Sequence, residues 1–478
     1  MELKTRTLFV FDALVDRALL LLACCFLSTP AQSQNLTEAA ASPTLDELMT
    51  RVDDSASTLV SDGLTVGMVV GIVRGDERLI RGYGEVVLGG GDEPNADTVY
   101  EIGSVSKVFT GILLADAAQR ELLDVEDTVQ DIVGDAFTMP MYEEEPIRLW
   151  HLSTHTSGLP RMPGNFKPAN PDDPYADYEL GALYDYVSGY KLRRAPGQEY
   201  AYSNLAVALL GNVLAHTQET SYESLVSARI TGPLGMDHTA VTLTPWMQER
   251  FAQAYDMDQG EKLSWNLGVF AGAGGIRSNM NDMLIFARAA LHPELTALDE
   301  ALASSMEVRY RGSTGVMIGL GWHAGSGGAT RWHNGQTGGY HSYLALWPEQ
   351  EVAVVLLSNT TAGLLDLLGE NILLALMGHP PRDISYRKAA ELDRDLCAEL
   401  VGQYQLGIFQ TLTVTLEDMG LFAKMSMQPK LRIYPDGEGK FFYRVVEAEI
   451  EFTRDDEGKV SGLAIAQAET VTQGKRKE

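Results

Sequence analysis

Two pairs of apolar, β-branched runs stand at the two ends of the central part of this chain. Thr65–Arg74 and Glu77–Tyr83 form the first pair, and Tyr340–Trp347 and Glu351–Asn359 form the second. A short turn joins the two runs of each pair, which is typical of a β-hairpin. The chain between them, from Asp127 to about Leu320, has mostly helix and loop patterns. These features predict an α+β fold, in which both hairpins form one antiparallel β-sheet flanked by helices, with an inserted helical subdomain.

The composition indicates a large globular protein with an anionic surface. Of 478 residues, 45% are hydrophobic and 21% charged, which allows a sizeable core and predicts more than one domain. The formal net charge of −28 opposes binding to nucleic acid and to anionic membranes. The sequence contains no zinc-type Cys/His spacing, HExxH, Walker loop or GxGxxG, so we predict no metal and no cofactor. The expected partner is a small-molecule or peptide substrate.

The first 33 residues are typical of a signal peptide. Ala18–Leu27 is an apolar run too short to span a bilayer, and Ala31 and Ser33 supply small residues for cleavage. Cys24 also loosely resembles a lipoprotein acylation site, so periplasmic, secreted and lipid-anchored forms stay open. After removal of the signal we expect no transmembrane helix. Cys397 would be the only cysteine of the mature chain, which excludes an internal disulfide.

Composition shifts divide the rest of the chain. Pro380-Pro381 and the charged run that follows look like a domain boundary, and the last segment has short strand patterns separated by turn signals. We therefore predict a linker over 34–45, a main domain over 46–380, a second linker over 381–396 and a small β-barrel-like domain over 397–478. The sequence leaves the oligomeric state open.

Ser104 and Lys107 form the first candidate site. Their spacing places them on one face of a helix that begins near Ser104 and continues in an amphipathic run. Unpaired N–H groups at a helix start favour an alkoxide, and a lysine of lowered pKa can accept the serine proton. The S-x-x-K pattern also occurs at Ser188–Lys191 and Ser385–Lys388, so only its context can distinguish the three.

Two further motifs follow Ser104–Lys107 in order. Tyr202-Ser-Asn204 begins an apolar helix, and Tyr-x-Asn occurs nowhere else in the chain. His333-Asn-Gly335 precedes the strand at Tyr340, although His323-Ala-Gly325 has the same pattern. Each motif also has an ordinary structural explanation: the serine or asparagine can cap a helix, the tyrosine can belong to the core, and His333 can be a loop histidine.

Other polar residues receive structural or surface interpretations. Ser188–Lys191 is expected at the surface because no second motif follows it, and Ser385–Lys388 is expected there because it lies in the linker between the domains. His151 and His155 are expected to satisfy hydrogen bonds at the base of the helical subdomain, and His341 is compatible with a structural or a cleft position. A GxSxG elbow is absent, which disfavours a Ser-His-Asp hydrolase of the α/β-hydrolase type.

With these three motifs in order, the sequence resembles the serine β-lactamase and penicillin-binding-protein superfamily, in particular its class C β-lactamase-like branch. The segments HLSTHTSGLP, AYSNLA, GAGGIRSNMNDM, GLGW and YLALWPEQEVAVVLLSN carry further resemblance. It covers about 46–378 and implies a β-lactamase/transpeptidase-like fold with the active site between an α/β part and a helical part. The last 80 residues resemble, more weakly, a lipocalin-like domain appended to some of these enzymes.

The resemblance implies a role for each motif residue. Ser104 is the expected nucleophile, and Lys107 and Tyr202 are expected to move its proton, with the formal base left open. Asn204 would hydrogen-bond the substrate and orient Lys107. The N–H groups of Ser104 and Gln336 would form the oxyanion hole, and Gly335 would let the strand edge approach the substrate.

The third motif departs from the family pattern, and this departure bears on the substrate. β-Lactamases and many DD-peptidases have a lysine where this chain has His333, and a histidine is mostly neutral at pH 7. We therefore expect hydrolysis of esters, amides or D-amino-acid peptides rather than efficient β-lactam hydrolysis. The alternatives are a β-lactamase or D-alanyl-D-alanine carboxypeptidase and, from another class, a non-catalytic cell-wall or peptide sensor.

Overall fold

The two predicted hairpins join in one β-sheet. The computed structural model describes residues 44–407, 410–426, 428–467 and 470–477, so the predicted signal peptide and almost all of the first linker lie outside the described residues. β1 (Gly67–Arg74) and β2 (Glu77–Gly84) form the first hairpin, and β13 (His341–Trp347) and β14 (Val352–Ser358) form the second. β1 pairs antiparallel with β14, which confirms the predicted sheet.

Four more strands extend this sheet beyond β13. They are β9 (Tyr310–Arg311), β10 (Met317–Ile318), β11 (His323–Gly325) and β12 (Thr330–Gln336). The full order is β2-β1-β14-β13-β12-β11-β10-β9, with antiparallel pairing throughout. The sequence pattern does not predict β12, because TRWHNGQ is largely polar; hydrogen bonding to β13 makes it a strand.

The chain between the two hairpins forms helices and short strands joined by loops, and one further helix lies on either side of the hairpins. The helices of the main unit are α1 (Leu45–Ser61), α2 (Ser106–Gln119), α3 (Val129–Val133), α4 (Leu149–Ser153), α5 (Leu180–Gly189), α6 (Asn204–Thr217), α7 (Tyr222–Val226), α8 (Gly232–Leu234), α9 (Pro245–Gln248), α10 (Ala271–Gly274), α11 (Met280–Leu291), α12 (Asp299–Met306) and α13 (Leu364–Leu376). β3 (Val99–Glu101) pairs with β8 (Arg277–Asn279), β4 (Met141–Tyr142) with β5 (Glu145–Pro146), and β6 (Ala254–Tyr255) with β7 (Glu261–Lys262).

Helices cover both faces of the large sheet. α11 packs on β1 at Gly71. Glycine is needed at this contact, because a Cβ on Gly71 would lie only 2.3 Å from Met280 Sδ. α1 and α13 pack on the other face, where Gly369 lies against the ring of Tyr343. The prediction of an amphipathic α2 is wrong: Ser106 to Ala117 are all buried, because this helix runs between other helices on all sides instead of facing water.

The chain from Ser385 onward forms a second compact unit. Its strands β15–β22 close into an antiparallel barrel, which confirms the predicted all-β C-terminal fold. They span Gly402–Leu406, Gln410–Glu417, Gly420–Met425, Lys430–Pro435, Lys440–Phe442, Ala448–Arg454, Val460–Gln467 and Thr470–Arg476. Apolar side chains of the barrel pack with Cys397 and Leu400 of α14 (Arg394–Leu400). Cys397 is a free, buried thiol.

Among the described residues, no helix is both long and apolar enough to cross a bilayer.

Candidate active site

Ser104 lies in a tight turn between β3 and α2. Gly103 opens the turn with φ +48°, and a Cβ on it would lie 2.7 Å from the backbone N of Gln336. A glycine is therefore required here both for the backbone conformation and for the close approach of β12. The turn, Gly103–Val105, is one 3₁₀ turn that leads directly into α2. As a result Ser104 stands at the start of the helix, as predicted.

Lys107 is buried beside this serine. Its Nζ lies 2.8 Å from Ser104 Oγ and 2.5 Å from the carbonyl oxygen of Ala273. Burial in the core, and secondarily the positive charge of Arg161, holds the pKa of Lys107 well below its usual value of 10.5. The arrangement favours a neutral amine next to the serine hydroxyl.

Tyr202 completes a three-residue cluster. Lys107 Nζ lies 5.0 Å from its ring centroid, and the neighbouring Ser104 hydroxyl acts to lower the pKa of the phenol. Burial raises the pKa of Tyr202 to about 12, so the phenol keeps its proton at neutral pH. Ser203 is the N-cap of α6, because its Oγ accepts a hydrogen bond from Ala206 N at 2.9 Å. Asn204, which the sequence also suggested as a cap, is instead the first residue of the helix.

Asn204 and His333 each present an unpaired polar atom. Asn204 Nδ2 lies 3.9 Å from Met162 Sδ, while its Oδ1 is buried without a hydrogen-bond partner. Asn204 Oδ1 therefore makes no hydrogen bond to Lys107, and Ala273 O is the acceptor that orients the lysine. His333 Nδ1 lies 2.5 Å from Asn334 O, and its Nε2 is buried without a partner. Burial holds the pKa of His333 well below 6.5, so the ring is neutral.

β12 brings the third motif against the serine turn. A Cβ on Gly335 would lie 2.0 Å from Ile102 O and 2.9 Å from Ser104 N, so only glycine fits there. The backbone of Gln336 also lies against the serine turn, because a Cβ on Gly103 would be 2.7 Å from Gln336 N. The N–H groups assigned to the oxyanion hole, those of Ser104 and Gln336, therefore come from two segments in direct contact.

Several supporting residues escape the sequence reasoning. His155 satisfies a structural hydrogen bond as expected, since its Nδ1 accepts from Ser203 N at 3.1 Å, but its ring also belongs to the site, with its centroid 4.3 Å from that of Tyr202. His323 lies 5.0 Å from His333, ring to ring. Its His-x-Gly pattern is a signal that could have identified it, although the sequence alone assigns it no role. The guanidinium of Arg161 lies 5.1 Å from the Tyr202 ring centroid, and no sequence pattern points to that residue.

A buried ion pair holds the segment that contains Ala273. Arg277 Nη2 lies 3.1 Å from Glu101 Oε1, and the same guanidinium donates to the carbonyl oxygens of Gly275 and Trp265. Arg277 thus connects both ends of the segment 265–275 to Glu101, the last residue of β3, which lies three residues before Ser104. Glycine allows close packing within this segment, since a Cβ on Gly272 would lie 3.2 Å from Gly211 Cα.

The remaining candidates lie outside the cluster. Ser188, Lys191, Ser385 and Lys388 are exposed, as predicted. His151 Nδ1 accepts a hydrogen bond from Arg148 N at the start of α4, and His341 Nε2 lies 2.7 Å from Asp366 Oδ1; both have structural positions. Within the described ranges, no three His, Cys, Asp or Glu side chains are placed to hold a metal ion.

Comparison with known proteins gives matches to both units. Residues 45–377 match the family model described as beta-lactamase, and 386–476 match a domain of unknown function, DUF3471. The chain is 28% identical to the D-alanyl-D-alanine-carboxypeptidase/endopeptidase AmpH of Escherichia coli K12, over 63% of this chain and 81% of that protein. It is 25% identical to penicillin-binding protein 4* of Bacillus subtilis, over 76% of this chain and 85% of that protein.

A solved structure supports the same fold. The crystal structure of a beta-lactamase/D-alanine carboxypeptidase from Yersinia pestis, complexed with citrate, superimposes with a TM-score of 0.62 at 24% identity. The match covers 70% of this chain and 99% of that one. A beta-lactamase of Yersinia enterocolitica is 27% identical, over 66% of this chain and 87% of that protein. The chain belongs to the beta-lactamase family and is a serine hydrolase of that family.

Proposed function

We propose that this protein is an exported hydrolase that forms an acyl-enzyme on Ser104 and cleaves esters, amides or D-amino-acid peptides. The observation that carries the proposal is the buried Lys107 amine, 2.8 Å from Ser104 Oγ. Because burial lowers the pKa of Lys107 well below its usual value, the neutral form of the amine, which can accept the serine proton, is favoured. A solvated lysine at an ordinary helix start would remain protonated.

The proposed reaction has two steps, acylation of Ser104 and deacylation by water. Lys107 takes the proton of Ser104 while Oγ attacks the substrate carbonyl carbon, and the resulting oxyanion accepts hydrogen bonds from the N–H groups of Ser104 and Gln336. Collapse of the tetrahedral intermediate expels the leaving group, which takes a proton delivered through Tyr202. In deacylation a water molecule attacks the acyl carbon while Lys107 takes its proton, and this proton passes to Ser104 Oγ as the acid product leaves. We assign Lys107 as the base because its pKa is lowered, whereas that of Tyr202 is raised to about 12.

The polar atoms left unpaired in the site suit substrate binding. Asn204 Oδ1 accepts a substrate N–H, and a neutral His333 offers Nε2 as a hydrogen-bonding group without adding a positive charge. Cephalosporin turnover is therefore expected to be slow. D-alanyl-D-alanine carboxypeptidase activity is the second candidate, favoured by the 28% identity to an enzyme of that name.

Active-site labelling tests the proposal. Wild-type protein is expected to react stoichiometrically with a fluorophosphonate probe, and Ser104→Ala to lose both labelling and turnover, while Ser188→Ala, in an exposed S-x-x-K pair, keeps both. A panel of a p-nitrophenyl ester, a D-alanyl anilide, a DD-dipeptide and a chromogenic cephalosporin then ranks the substrates. Full hydrolysis by Ser104→Ala would refute the nucleophile, and fast cephalosporin turnover would refute the role given to His333. A folded protein without any turnover would favour the sensor alternative.

We further propose the domain limits 46–380 and 397–478, joined by the linker 381–396 and preceded by a cleaved signal over 1–33. Separate apolar cores in the two units support this division. A chain that ends after residue 390 is expected to keep ester hydrolysis, with a melting temperature that stays within a few degrees of the full chain's. Loss of all folded protein on truncation would contradict these limits, and N-terminal sequencing of exported protein tests the cleavage site.

A further inference from the structure

Three large side chains, Met162, Tyr175 and Trp265, form a continuous row beside the cluster around Ser104. The ring centroids of Tyr175 and Trp265 lie 5.3 Å apart, and the Tyr175 hydroxyl lies 4.0 Å from Met162 Sδ. Met162 Sδ in turn lies 3.9 Å from Nδ2 of Asn204, in the second motif. We call these three side chains the aromatic wall, and one end of it reaches the second motif.

The other end of the aromatic wall lies against the turn after β12. A Cβ on Gly338 would lie 2.6 Å from Nε1 of Trp265, so the indole packs directly on the backbone of Gly338. Gln336, whose N–H is assigned to the oxyanion hole, lies two residues earlier. The middle of the wall is also close to the cluster, because the phenol of Tyr175 acts to raise the pKa of Tyr202. The wall therefore extends from the second motif to the third.

The aromatic wall is held in place from behind, while part of it stays accessible. The Tyr175 ring lies 5.2 Å from the ring of Phe270, which is fully buried. The backbone of Trp265 is fixed, because its N–H donates to Glu101 Oε1 at 2.9 Å and its carbonyl oxygen accepts a hydrogen bond from Arg277. Tyr175 and Trp265 themselves are only half-buried, so a ligand can reach part of each ring.

The position of the wall along β12 assigns it to the acyl side of the substrate. In the proposed reaction the leaving group receives its proton through Tyr202, whose ring centroid lies 6.3 Å from that of His333. His333 precedes Gln336 on β12 by three residues. Trp265 packs beyond Gln336, at Gly338. The leaving group therefore lies toward His333, and the acyl group extends the other way, toward Trp265.

We propose that the aromatic wall binds an aromatic ring on the acyl side of the substrate, so that this hydrolase prefers aryl-substituted acyl groups such as arylacetyl. Aromatic rings attract one another in offset-stacked and edge-to-face arrangements, and the accessible parts of Tyr175 and Trp265 offer such a surface. Oδ1 of Asn204, buried without a hydrogen-bond partner at the end of the wall, also indicates a space that a ligand fills. This inference rests on the proposed acyl-enzyme function and adds a substrate class to it.

Three esters with the same leaving group test the aromatic wall. The value of kcat/KM is measured for p-nitrophenyl phenylacetate, cyclohexylacetate and acetate. Each value is divided by the rate constant for hydrolysis of that ester by hydroxide, because this division removes differences in intrinsic reactivity. We expect wild type to favour phenylacetyl over acetyl by about tenfold or more, with cyclohexylacetyl in between, since an aromatic contact adds to the burial of an apolar group.

Variants of the wall and a matched control locate this preference. Trp265→Ala and Tyr175→Ala should each lower the phenylacetyl-to-acetyl ratio by about threefold or more. Trp265→Phe keeps a ring and should retain part of the ratio, and it provides the comparison if Trp265→Ala does not fold. Trp246→Ala removes another half-buried indole, which stacks on His238 with ring centroids 3.5 Å apart, and should leave the ratio as in wild type.

The outcomes separate this inference from the proposed function. A wild-type ratio near one, equal rates for the phenylacetyl and cyclohexylacetyl esters, or an equal loss of all three activities in Trp265→Ala would overturn the role of the wall, even though Ser104 is labelled and hydrolysis proceeds. Absence of both labelling and turnover would overturn the proposed function instead.

Binding without turnover then still tests the aromatic wall. Calorimetry compares N-methylphenylacetamide with N-methylacetamide as ligands of Ser104→Ala and of Ser104→Ala/Trp265→Ala. Tighter binding of the phenyl compound that is lost together with Trp265 would support the wall as a site for an aromatic ring. Equal binding of the two amides to Ser104→Ala would overturn it.

Discussion

The Lys107 amine lies between Ser104 Oγ, 2.8 Å away, and the carbonyl oxygen of Ala273, 2.5 Å away. A carbonyl oxygen can only accept a hydrogen bond, so one N–H of Lys107 is directed at Ala273. The lone pair of a neutral amine is then available on the side of Ser104. This geometry explains why a lysine, rather than the fully protonated Tyr202, is suited to take the serine proton.

Replacing Lys107 by Met should abolish activity and change how stability depends on pH. We expect kcat/KM to fall by about 10³-fold or more, the upper range for a positioned base. The folded-state pKa of Lys107 lies below the unfolded value of 10.5, so the unfolded chain binds the proton more tightly. Wild type should therefore gain stability relative to the variant, at about 1.4 kcal/mol per pH unit, as pH rises from the folded pKa toward the unfolded one. Denaturant unfolding at several pH values measures this, and a pH-independent difference would contradict it.

Replacing Tyr202 by Phe should slow the reaction without unfolding the protein. The phenol is expected to pass a proton to the leaving group, so we predict about a 10²-fold lower kcat/KM, largest for substrates with poor leaving groups. Wild-type activity should not decline through tyrosine ionisation until pH approaches the pKa of about 12. Tyr222→Phe removes another buried phenol, 2.8 Å from Thr110 Oγ1, and serves as the control. Equal kinetic losses in both variants would indicate a purely structural role.

Adding a methyl group to Gly335 should displace β12 from the serine turn. A Cβ there meets Ile102 O at 2.0 Å and Ser342 Oγ at 2.5 Å, and overpacking of this kind costs about 1–3 kcal/mol. We expect Gly335→Ala to lower both the melting temperature and the rate of acylation. Gly181→Ala, on α5 with nothing within 4 Å of the new Cβ, should be stable and active. A fully active Gly335→Ala would show that the strand edge need not lie this close.

Removing Arg277 should destabilise the protein more at neutral than at acidic pH. Arg277→Met leaves Glu101 buried without its cation, and breaking a buried pair costs about 3–5 kcal/mol. Burial already raises the pKa of Glu101, and Arg277 opposes that rise. Without Arg277 the folded-state pKa rises further above the unfolded value of 4.5, so the loss of stability should shrink as pH falls and Glu101 becomes protonated. Urea unfolding of wild type, Arg277→Met and Glu101→Gln/Arg277→Met measures this; a loss equal at all pH values would exclude Glu101 as the cause.

Patterns that act over a few residues made much of the fold and of the site predictable. Both hairpins follow from apolar runs joined by short turns, and the Ser104–Lys107 pair follows from the three-residue spacing on one helix face. The order of the three motifs then pointed to the family. The local pattern failed for β12, whose polar sequence becomes a strand only beside β13, and for α2, whose burial depends on its neighbours.

The sequence by itself determined the nucleophile candidate and the class of fold, because helix and hairpin geometry depend on neighbouring residues. Only the tertiary structure decided what surrounds Lys107. Ala273, 166 residues away in the chain, orients the amine, and Arg161 and His155 reach Tyr202 from the segment after α4. The pKa of Lys107 is lowered because segments that are distant in sequence pack around the amine and exclude water from it. Short sequence patterns do not contain this information.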